Sequence, residues 1–175
     1  MKALVIVDMQ NDFLDDSVLG NEQCRQVIPK IVDKVGKGGY DRIYVTRDTH
    51  QENYLETQEG KNLPVVHCIE GSEGWQIQKD IEAAVQAAAV PVDYIDKPTF
   101  GSLKLAEKLS EDKMDEVEFT GVCTGICVIS NAILAKAKAP EMLVKVDASC
   151  CGCVTEESHH TALEAMKLCQ ITIIN

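Results

Sequence analysis

Cys127 stands in a segment whose residue types allow nucleophilic chemistry. A β-rich stretch ending near Thr120 leads through a turn rich in Gly and Thr into an Ala-rich helix that opens close to Cys127. A thiol at a helix start lies where unpaired N–H groups and the helix dipole favour negative charge, which lowers the thiol pKa. The alternative for Cys127 alone is a small buried hydrophobic residue, the usual state of a free cysteine.

Two further titratable residues directly follow predicted strands. Asp8 follows the apolar run 3–7, so we expect burial to raise its pKa and suit it to take a proton from a thiol. Lys97 follows the predicted strand 93–96, where its charge would hold a thiolate and orient Asp8. The backbone N–H groups of Cys123 and Cys127 could form an oxyanion hole. Taken singly, a turn-forming Asp and a solvated Lys are the simpler interpretations, but their coincidence at strand ends favours a site.

A second group of polar residues lies in the irregular region 47–75. Asp48 and His50 come just after a predicted strand, and His67 lies in a segment that can return to them. One carboxylate and two imidazoles with open positions form a common catalytic ligand set for Zn²⁺, Mn²⁺ or Fe²⁺. The alternative is that two of the four histidines fall in a polar loop by chance. His159 and His160 are predicted to lie on a solvated helix face.

These residues must be positioned by an alternation of strands and helices along the whole chain. Strands are predicted over 3–7, 41–46, 93–96, 115–120, 142–146 and 171–174, and helices over 22–37, 76–89, 102–110, 128–137 and 155–169. Such alternation predicts an α/β fold with a mostly parallel sheet covered by helices on both faces. Ligands then gather outside the carboxyl ends of the strands. The length of 175 residues predicts one domain over 1–175.

Charge and composition narrow the class of partner. The formal net charge of −11 and the absence of a Lys/Arg cluster argue against nucleic acid and anionic membranes as partners. The apolar run at the start is too short for a signal peptide or a membrane span, so we expect a cytoplasmic protein. Its eight cysteines are then expected to be free thiols. Cys150, Cys151 and Cys153 are too crowded for a zinc knuckle and are expected to serve core and turn packing.

Three segments together resemble the isochorismatase-like cysteine hydrolases. They are VIVDMQNDF from Val5, DK from Asp96, and TGVCTGICV from Thr120. The resemblance implies a three-layer α/β/α sandwich with a mostly parallel sheet, and hydrolysis through a thioester by Asp8, Lys97 and Cys127. It also implies a cis peptide at Val122–Cys123, which would aim the oxyanion N–H groups, and a homo-oligomeric assembly.

Within that family the chain resembles the nicotinamidase branch. TRDTH from Thr46, followed by His67, is similar to a metal site whose ion, here Zn²⁺ with Mn²⁺ or Fe²⁺ as alternatives, binds the pyridine nitrogen of the substrate. Glu59 is placed to add a ligand, and Phe13 matches an aromatic residue that flanks the substrate ring. Two departures stand out: Gly125 replaces a common Asp, and residues 64–66 lack the aromatic residue often found before the last metal His. Trp75 is a candidate replacement for that ring.

The resemblance implies a metal-assisted amidohydrolase that converts nicotinamide, or a related small amide, to the acid and ammonia in NAD salvage. One alternative is a metal-free isochorismatase-like or ureido-amide hydrolase. An alternative of another class is a catalytically silent binding or scaffold protein on the same fold. A third is a redox sensor that forms a disulfide at Cys123 or Cys127.

Overall fold

Six parallel strands form one sheet in the part of the chain that the structure describes. The computed structural model describes residues 1–14, 17 and 19–175. The strands are β1 (Lys2–Val7), β2 (Arg42–Asp48), β3 (Val92–Lys97), β4 (Glu116–Val122), β5 (Leu143–Gly152) and β6 (Thr172–Ile174). Their order across the sheet is β3-β2-β1-β4-β5-β6. The predicted α/β architecture with a parallel sheet is confirmed.

Helices cover both faces of this sheet. They are α1 (Asn11–Leu14), α2 (Glu22–Arg25), α3 (Ile28–Lys37), α4 (Gln58–Asn62), α5 (Lys79–Gln86), α6 (Leu103–Glu111), α7 (Ile129–Lys138) and α8 (Glu156–Leu168). One apolar cluster joins the sheet to α6, α7 and α8, and a second joins it to α2, α3 and α5. The molecule is therefore a three-layer α/β/α sandwich. Within the described ranges, no helix combines the length and the apolar character needed to cross a bilayer.

The central strand β1 contributes to both layers of the core. Ala3, Val5 and Val7 belong to one apolar cluster, whereas Leu4 and Ile6 belong to the other. Side chains alternate between the faces of a strand, so a strand covered on both faces needs an uninterrupted apolar run. Burying each large aliphatic side chain contributes about 1.5–3 kcal/mol relative to leaving it in water. The apolar run ends at Val7, and the next residue is Asp8.

The strand order reverses beside β1, which pairs with β2 on one side and β4 on the other. Its last residue, Val7, lies opposite Thr46 of β2 and Gly121 of β4. Gly121 has φ +111°, and a Cβ there would lie 2.1 Å from the carbonyl oxygen of Val7. Only glycine allows this close approach. In parallel sheets such a reversal opens a crevice at the carboxyl ends of the strands.

The structure corrects the single helix predicted over 22–37. It has two helices, α2 and α3, which are separated at Gln26 and Val27. Pro29 falls in the first turn of α3. Proline has no N–H group to bond to the preceding turn and clashes with its carbonyl, so it is tolerated in a first turn but not inside a helix.

Strand β5 is longer than the predicted strand over 142–146. It continues to Gly152 and so includes Cys150 and Cys151, both of which are buried. Cys153 follows directly and is also buried, in agreement with the expected packing role. All eight cysteines, each of which lies in the described part of the chain, are free. The assignment of residues 1–175 to one domain stays a prediction.

Candidate active site

The three residues predicted from strand ends meet at the carboxyl edge of the sheet. Asp8 follows β1, Lys97 is the last residue of β3, and Cys127 lies beyond β4. Lys97 Nζ lies 2.7 Å from Asp8 Oδ2 and 3.7 Å from Cys127 Sγ. All three side chains are buried, with at most 6% of any of these residues exposed. A carboxylate, an ammonium and a thiol therefore share one desolvated pocket.

Asp8 is held in a strained and desolvated position. Its φ is +49°, in a left-handed region that non-glycine residues seldom adopt. The Thr46 hydroxyl donates to Oδ1 at 2.6 Å, and Lys97 faces Oδ2. Burial raises the pKa of Asp8, and the charge of Lys97 offsets this effect only in part. A carboxylate with a raised pKa is a better proton acceptor than an ordinary surface Asp.

Lys97 holds the pocket together because it contacts two carboxylates. Its ammonium also lies 3.2 Å from Asp48 Oδ1 and donates to the Thr99 carbonyl at 3.0 Å. Burial disfavours its charge, but Asp8, Cys127 and Asp48 outweigh burial and raise the pKa of Lys97. The ammonium therefore stays protonated and cannot itself serve as a base at neutral pH.

The turn that carries Cys127 is a single π-helical turn, Thr124–Val128, which precedes α7. The Cys123 carbonyl accepts the N–H groups of both Ile126 and Val128, at 3.0 and 3.1 Å. The peptide bond Val122–Cys123 is cis, as the resemblance implies. Cys127 is thus the fourth residue of this turn and lies between a strand end and a regular helix.

The expectation of a lowered thiol pKa at Cys127 is wrong. Burial and the nearby Asp8 carboxylate raise the pKa of Cys127 well above its ordinary value, and Lys97 opposes them only in part. The helix-start rule considers only local peptide dipoles, whereas β1 brings a carboxylate against the sulfur. The resting thiol is therefore protonated, and its chemistry requires a base within reach.

A second cluster of four ligand side chains lies next to this pocket. The donor atoms of Asp48, His50, Glu59 and His67 all lie within 4.8 Å of one another. Asp48 Oδ2 is 3.1 Å from His50 Nε2 and 3.6 Å from His67 Nε2, and Glu59 Oε1 is 3.6 Å from His50 Nε2. The structure thus brings together the three predicted ligands and adds Glu59.

The protonation of His67 fits a role as a metal ligand. Its Nδ1 lies 2.7 Å from the Val65 carbonyl, which can only accept, so Nδ1 carries the proton. Nε2 then faces the carboxylates of Asp48 and Glu59 and is the ring atom that would bind an ion. Two imidazoles and two carboxylates suit Zn²⁺, Mn²⁺ or Fe²⁺, and outer hydrogen bonds of this kind fix ligand orientation. The cluster is therefore a candidate site for a divalent metal, and Asp48 links it to Lys97.

Tyr54 is a site residue that sequence reasoning missed. Its buried ring lies 4.6 Å from the His50 ring and 5.0 Å from the His67 ring, and its hydroxyl donates to the Leu63 carbonyl at 2.9 Å. The available signal was an aromatic residue inside an otherwise polar region. The predicted Phe13 lies with its ring 5.6 Å from that of His67.

Trp75 is engaged away from the histidine rings. Its indole N–H donates to the Thr49 hydroxyl at 2.8 Å, and the Arg47 guanidinium lies 4.0 Å from its ring centre. Tyr54, by contrast, contacts both histidine rings. That Trp75 replaces the aromatic residue missing from 64–66 stays a prediction.

Gly125 lies on the side of the turn that faces α8, and His159 of α8 contacts the same turn. A Cβ at Gly125 would lie 3.5 Å from Cys153 Sγ and from the Ser158 carbonyl oxygen, which is ordinary contact, so a Cβ would fit there. His159 is half-buried rather than solvated, and its Nδ1 lies 2.8 Å from Thr124 Oγ1. Since the Thr124 hydroxyl donates to the Gly152 carbonyl, His159 donates to Thr124. His160 is exposed, as expected.

Comparison with known proteins assigns the chain to a family. The family model described as the isochorismatase domain matches residues 2–175. The chain belongs to the isochorismatase family. An uncharacterised isochorismatase family protein of Bacillus subtilis is 29% identical over 173 residues, which cover 93% of this chain and 92% of that protein.

Solved structures of similar proteins share the fold over nearly the whole chain. A pyrazinamidase/nicotinamidase from Streptococcus mutans UA159 has a TM-score of 0.85 and 27% identity, with 99% of this chain and 100% of that chain covered. The pyrazinamidase of Pyrococcus horikoshii, solved in complex with zinc, has a TM-score of 0.80 and 26% identity, with 99% and 98% covered.

Proposed function

We propose that this protein is a nicotinamidase-like cysteine amidohydrolase, which converts nicotinamide or a related small amide to the acid and ammonia. The observation that carries the proposal is the contact of the buried Asp8, Lys97 and Cys127 group with a four-donor cluster through Asp48. The Streptococcus mutans structure, whose name states pyrazinamidase and nicotinamidase, supports this substrate class.

In the first half of the proposed reaction, Asp8 takes the proton of the Cys127 thiol. The raised pKa values of both groups favour this division of labour, because the thiol holds its proton until a base removes it. The sulfur then attacks the amide carbon, and the carbonyl oxygen becomes an oxyanion held by the N–H groups of Cys123 and Cys127. Lys97 stabilises the anionic forms of its neighbours.

In the second half, the tetrahedral intermediate loses its nitrogen. The C–N bond breaks as Asp8 returns the proton to the departing nitrogen, which leaves as ammonia and produces a thioester on Cys127. A water molecule then gives one proton to Asp8 while its oxygen attacks the thioester carbon. The C–S bond breaks, the sulfur recovers the proton from Asp8, and the acid leaves.

In this proposal, the donor cluster binds the metal ion that holds the substrate ring. Asp48, His50 and His67, with Glu59 as a further ligand, would hold Zn²⁺ or an alternative divalent ion. The bound ion would act as a Lewis acid towards the ring nitrogen of the substrate. Phe13 and Tyr54 would flank the ring. The zinc in the Pyrococcus horikoshii structure supports the choice of metal.

The alternatives receive less support from the described residues. Four convergent ligands beside the thiol disfavour a metal-free hydrolase, and a binding or scaffold protein has no need for a buried base, cation and thiol in contact. With the proposed activity we also place the protein in the cytoplasm, in NAD salvage and in a homo-oligomer. Analytical ultracentrifugation would test the assembly.

Ammonia release from nicotinamide tests the proposal directly. We expect activity in the wild type, a loss of at least about 10³-fold in Cys127→Ala because no nucleophile remains, and no change in Cys169→Ala, whose thiol is exposed far from the chemistry. Equal activity in wild type and Cys127→Ala would reject the mechanism. An inactive wild type that still hydrolyses a ureido amide would reject the substrate.

A further inference from the structure

The carboxylate of Asp12 holds the backbone segment that carries His67. The N–H group of Cys68 donates to Asp12 Oδ2 at 2.7 Å, and a carboxylate acceptor makes such a bond stronger than a neutral one. Cys68 has φ +47°, a strained conformation for a residue with a side chain. Its carbonyl accepts the N–H group of His50 at 3.0 Å. The peptide groups on both sides of Cys68 are therefore each held by a hydrogen bond.

Gly74 makes room for this carboxylate. A Cβ at Gly74 would lie 2.2 Å from the Asp12 carboxylate, so an alanine there would displace the carboxylate from Cys68. The Gly74 carbonyl in turn accepts the Asp12 N–H group at 3.0 Å. The chain thus offers a way to move the Asp12 carboxylate without removing it.

Gln10 holds the segment of Asp48 in a similar way. Its side-chain amide donates to the Asp48 carbonyl at 2.8 Å, and its oxygen accepts the Asp48 N–H group at 2.7 Å. The same amide donates to the Trp75 carbonyl at 2.9 Å. Gln10 is fully buried, so these bonds form in a desolvated setting where a lost partner is costly. Asp48 is therefore fixed by its backbone as well as by its contacts to Lys97 and the histidines.

We propose that Gln10 and Asp12 are positioning residues that set the metal affinity of the donor cluster by fixing the Asp48 and His67 segments. The inference rests on the proposed function only in assuming that the cluster binds a divalent metal. Neither side chain belongs to the donor cluster itself. Both come from the segment after β1, so the strand end that presents Asp8 also orients the ligands.

The expected change in metal affinity follows from the effect of outer hydrogen bonds in other metal sites. A ligand set binds tightly when its donors are held in place before the ion arrives, and loss of an outer hydrogen bond typically weakens metal affinity by about tenfold to a hundredfold. Asn11 provides the matched control, because it lies between Gln10 and Asp12 and its side chain donates to the Glu73 carbonyl at 2.9 Å, away from the ligand segments.

The test is a zinc titration of the metal-stripped, full-length protein against a chromophoric chelator. We expect Gln10→Ala, Asp12→Ala and Gly74→Ala to raise the dissociation constant for Zn²⁺ by about tenfold to a hundredfold, and Asn11→Ala to leave it within about twofold. Asp12→Asn, which keeps an oxygen for the Cys68 N–H group, is expected to bind more tightly than Asp12→Ala. At saturating Zn²⁺, kcat should return towards the wild-type value.

The inference would be overturned if Gly74→Ala and Asp12→Ala bound Zn²⁺ as tightly as the wild type. It would also be overturned if the wild type took up no Zn²⁺. Circular dichroism of the stripped proteins separates a local effect from misfolding. If Asp12→Ala does not fold, Gly74→Ala and Asp12→Asn decide the question. An absence of ammonia release from nicotinamide would reject the proposed function and leave the zinc result standing, because the titration requires no turnover.

Discussion

Lys97 and Lys34 each lie between two buried carboxylates, and Lys97 also lies 3.7 Å from the Cys127 sulfur. Lys97 contacts Asp8 and Asp48 at the carboxyl edge of the sheet. Lys34 of α3 lies 2.5 Å from Glu118 of β4 and 2.6 Å from Asp147 of β5, near the opposite end of β4. The chemical groups are the same, so any difference between the pKa values of their carboxyl groups must come from the surroundings of each carboxylate.

The Asp147 carboxylate beside Lys34 has several further donors. Asp147 also accepts from the Ser149 N–H group and hydroxyl and from the Asn175 amide. Burial opposes its charge, but Lys34 and Ser149 outweigh burial and lower the pKa of Asp147. Burial raises the pKa of Asp8, and its contacts with Lys97 and the Thr46 hydroxyl offset burial only in part. A buried carboxylate is thus inert where donors saturate it and basic where they do not.

The largest difference between the two lysine sites should appear in turnover when one carboxylate of each site is removed. We expect Asp8→Asn to lower kcat/KM for nicotinamide by about 10²–10⁴-fold, because the proposed base is lost while the shape of the side chain is kept. Asp147→Asn is expected to change kcat/KM by less than about twofold, since the two sites share no partner. Steady-state ammonia release measures both. Similar losses in the two variants would show that the carboxylates do not differ in function.

Removing the Lys34 ammonium should lower the stability of the fold. Lys34→Met leaves Glu118 and Asp147 without their shared ammonium, so we expect the free energy of unfolding to fall by about 3 kcal/mol. Lys37→Met on the same helix removes only an exposed pair with Asp33 and should cost at most about 1 kcal/mol. Urea unfolding followed by circular dichroism measures both values. Equal losses in the free energy of unfolding would show that the Lys34 contacts stabilise the fold no more than an exposed ion pair does.

The smallest effect is the pH dependence, and it should differ in sign between the two carboxyls. The lowered pKa of Asp147 contributes stability above its unfolded value of about 3.9, which is lost as the pH falls through the folded pKa. The raised pKa of Asp8 instead costs stability as the pH rises above its unfolded value.

Asp147→Asn should therefore unfold more easily than the wild type at pH 7, by about 2 kcal/mol, and the difference should shrink below about pH 3.9. Asp8→Asn should not be less stable than the wild type at pH 7. Urea midpoints at pH 3, 5 and 7 provide the measurement. A pH-independent cost in Asp147→Asn would contradict the assignment of its stability to the ionised form.

Much of the fold and of the site could be predicted from local pattern. The apolar run before Asp8 and the strand before Lys97 marked strand ends, and parallel strands present their carboxyl ends at one edge. That rule alone brought Asp8, Lys97 and Asp48 together. The predicted direction of the Cys127 pKa shift is wrong, because burial and the field of Asp8, which is more than 100 residues away in sequence, both arise from tertiary structure.

The sequence by itself determined the alternation of elements, the family resemblance and the residue types available at each strand end. Only the tertiary structure decided that Glu59 joins the donor cluster, that Tyr54 packs against both histidine rings, and that Asp12 holds the backbone after His67. Periodicity records which face of an element is buried. It does not record which side chains from distant loops converge, because that depends on how the packed layers close over the sheet edge.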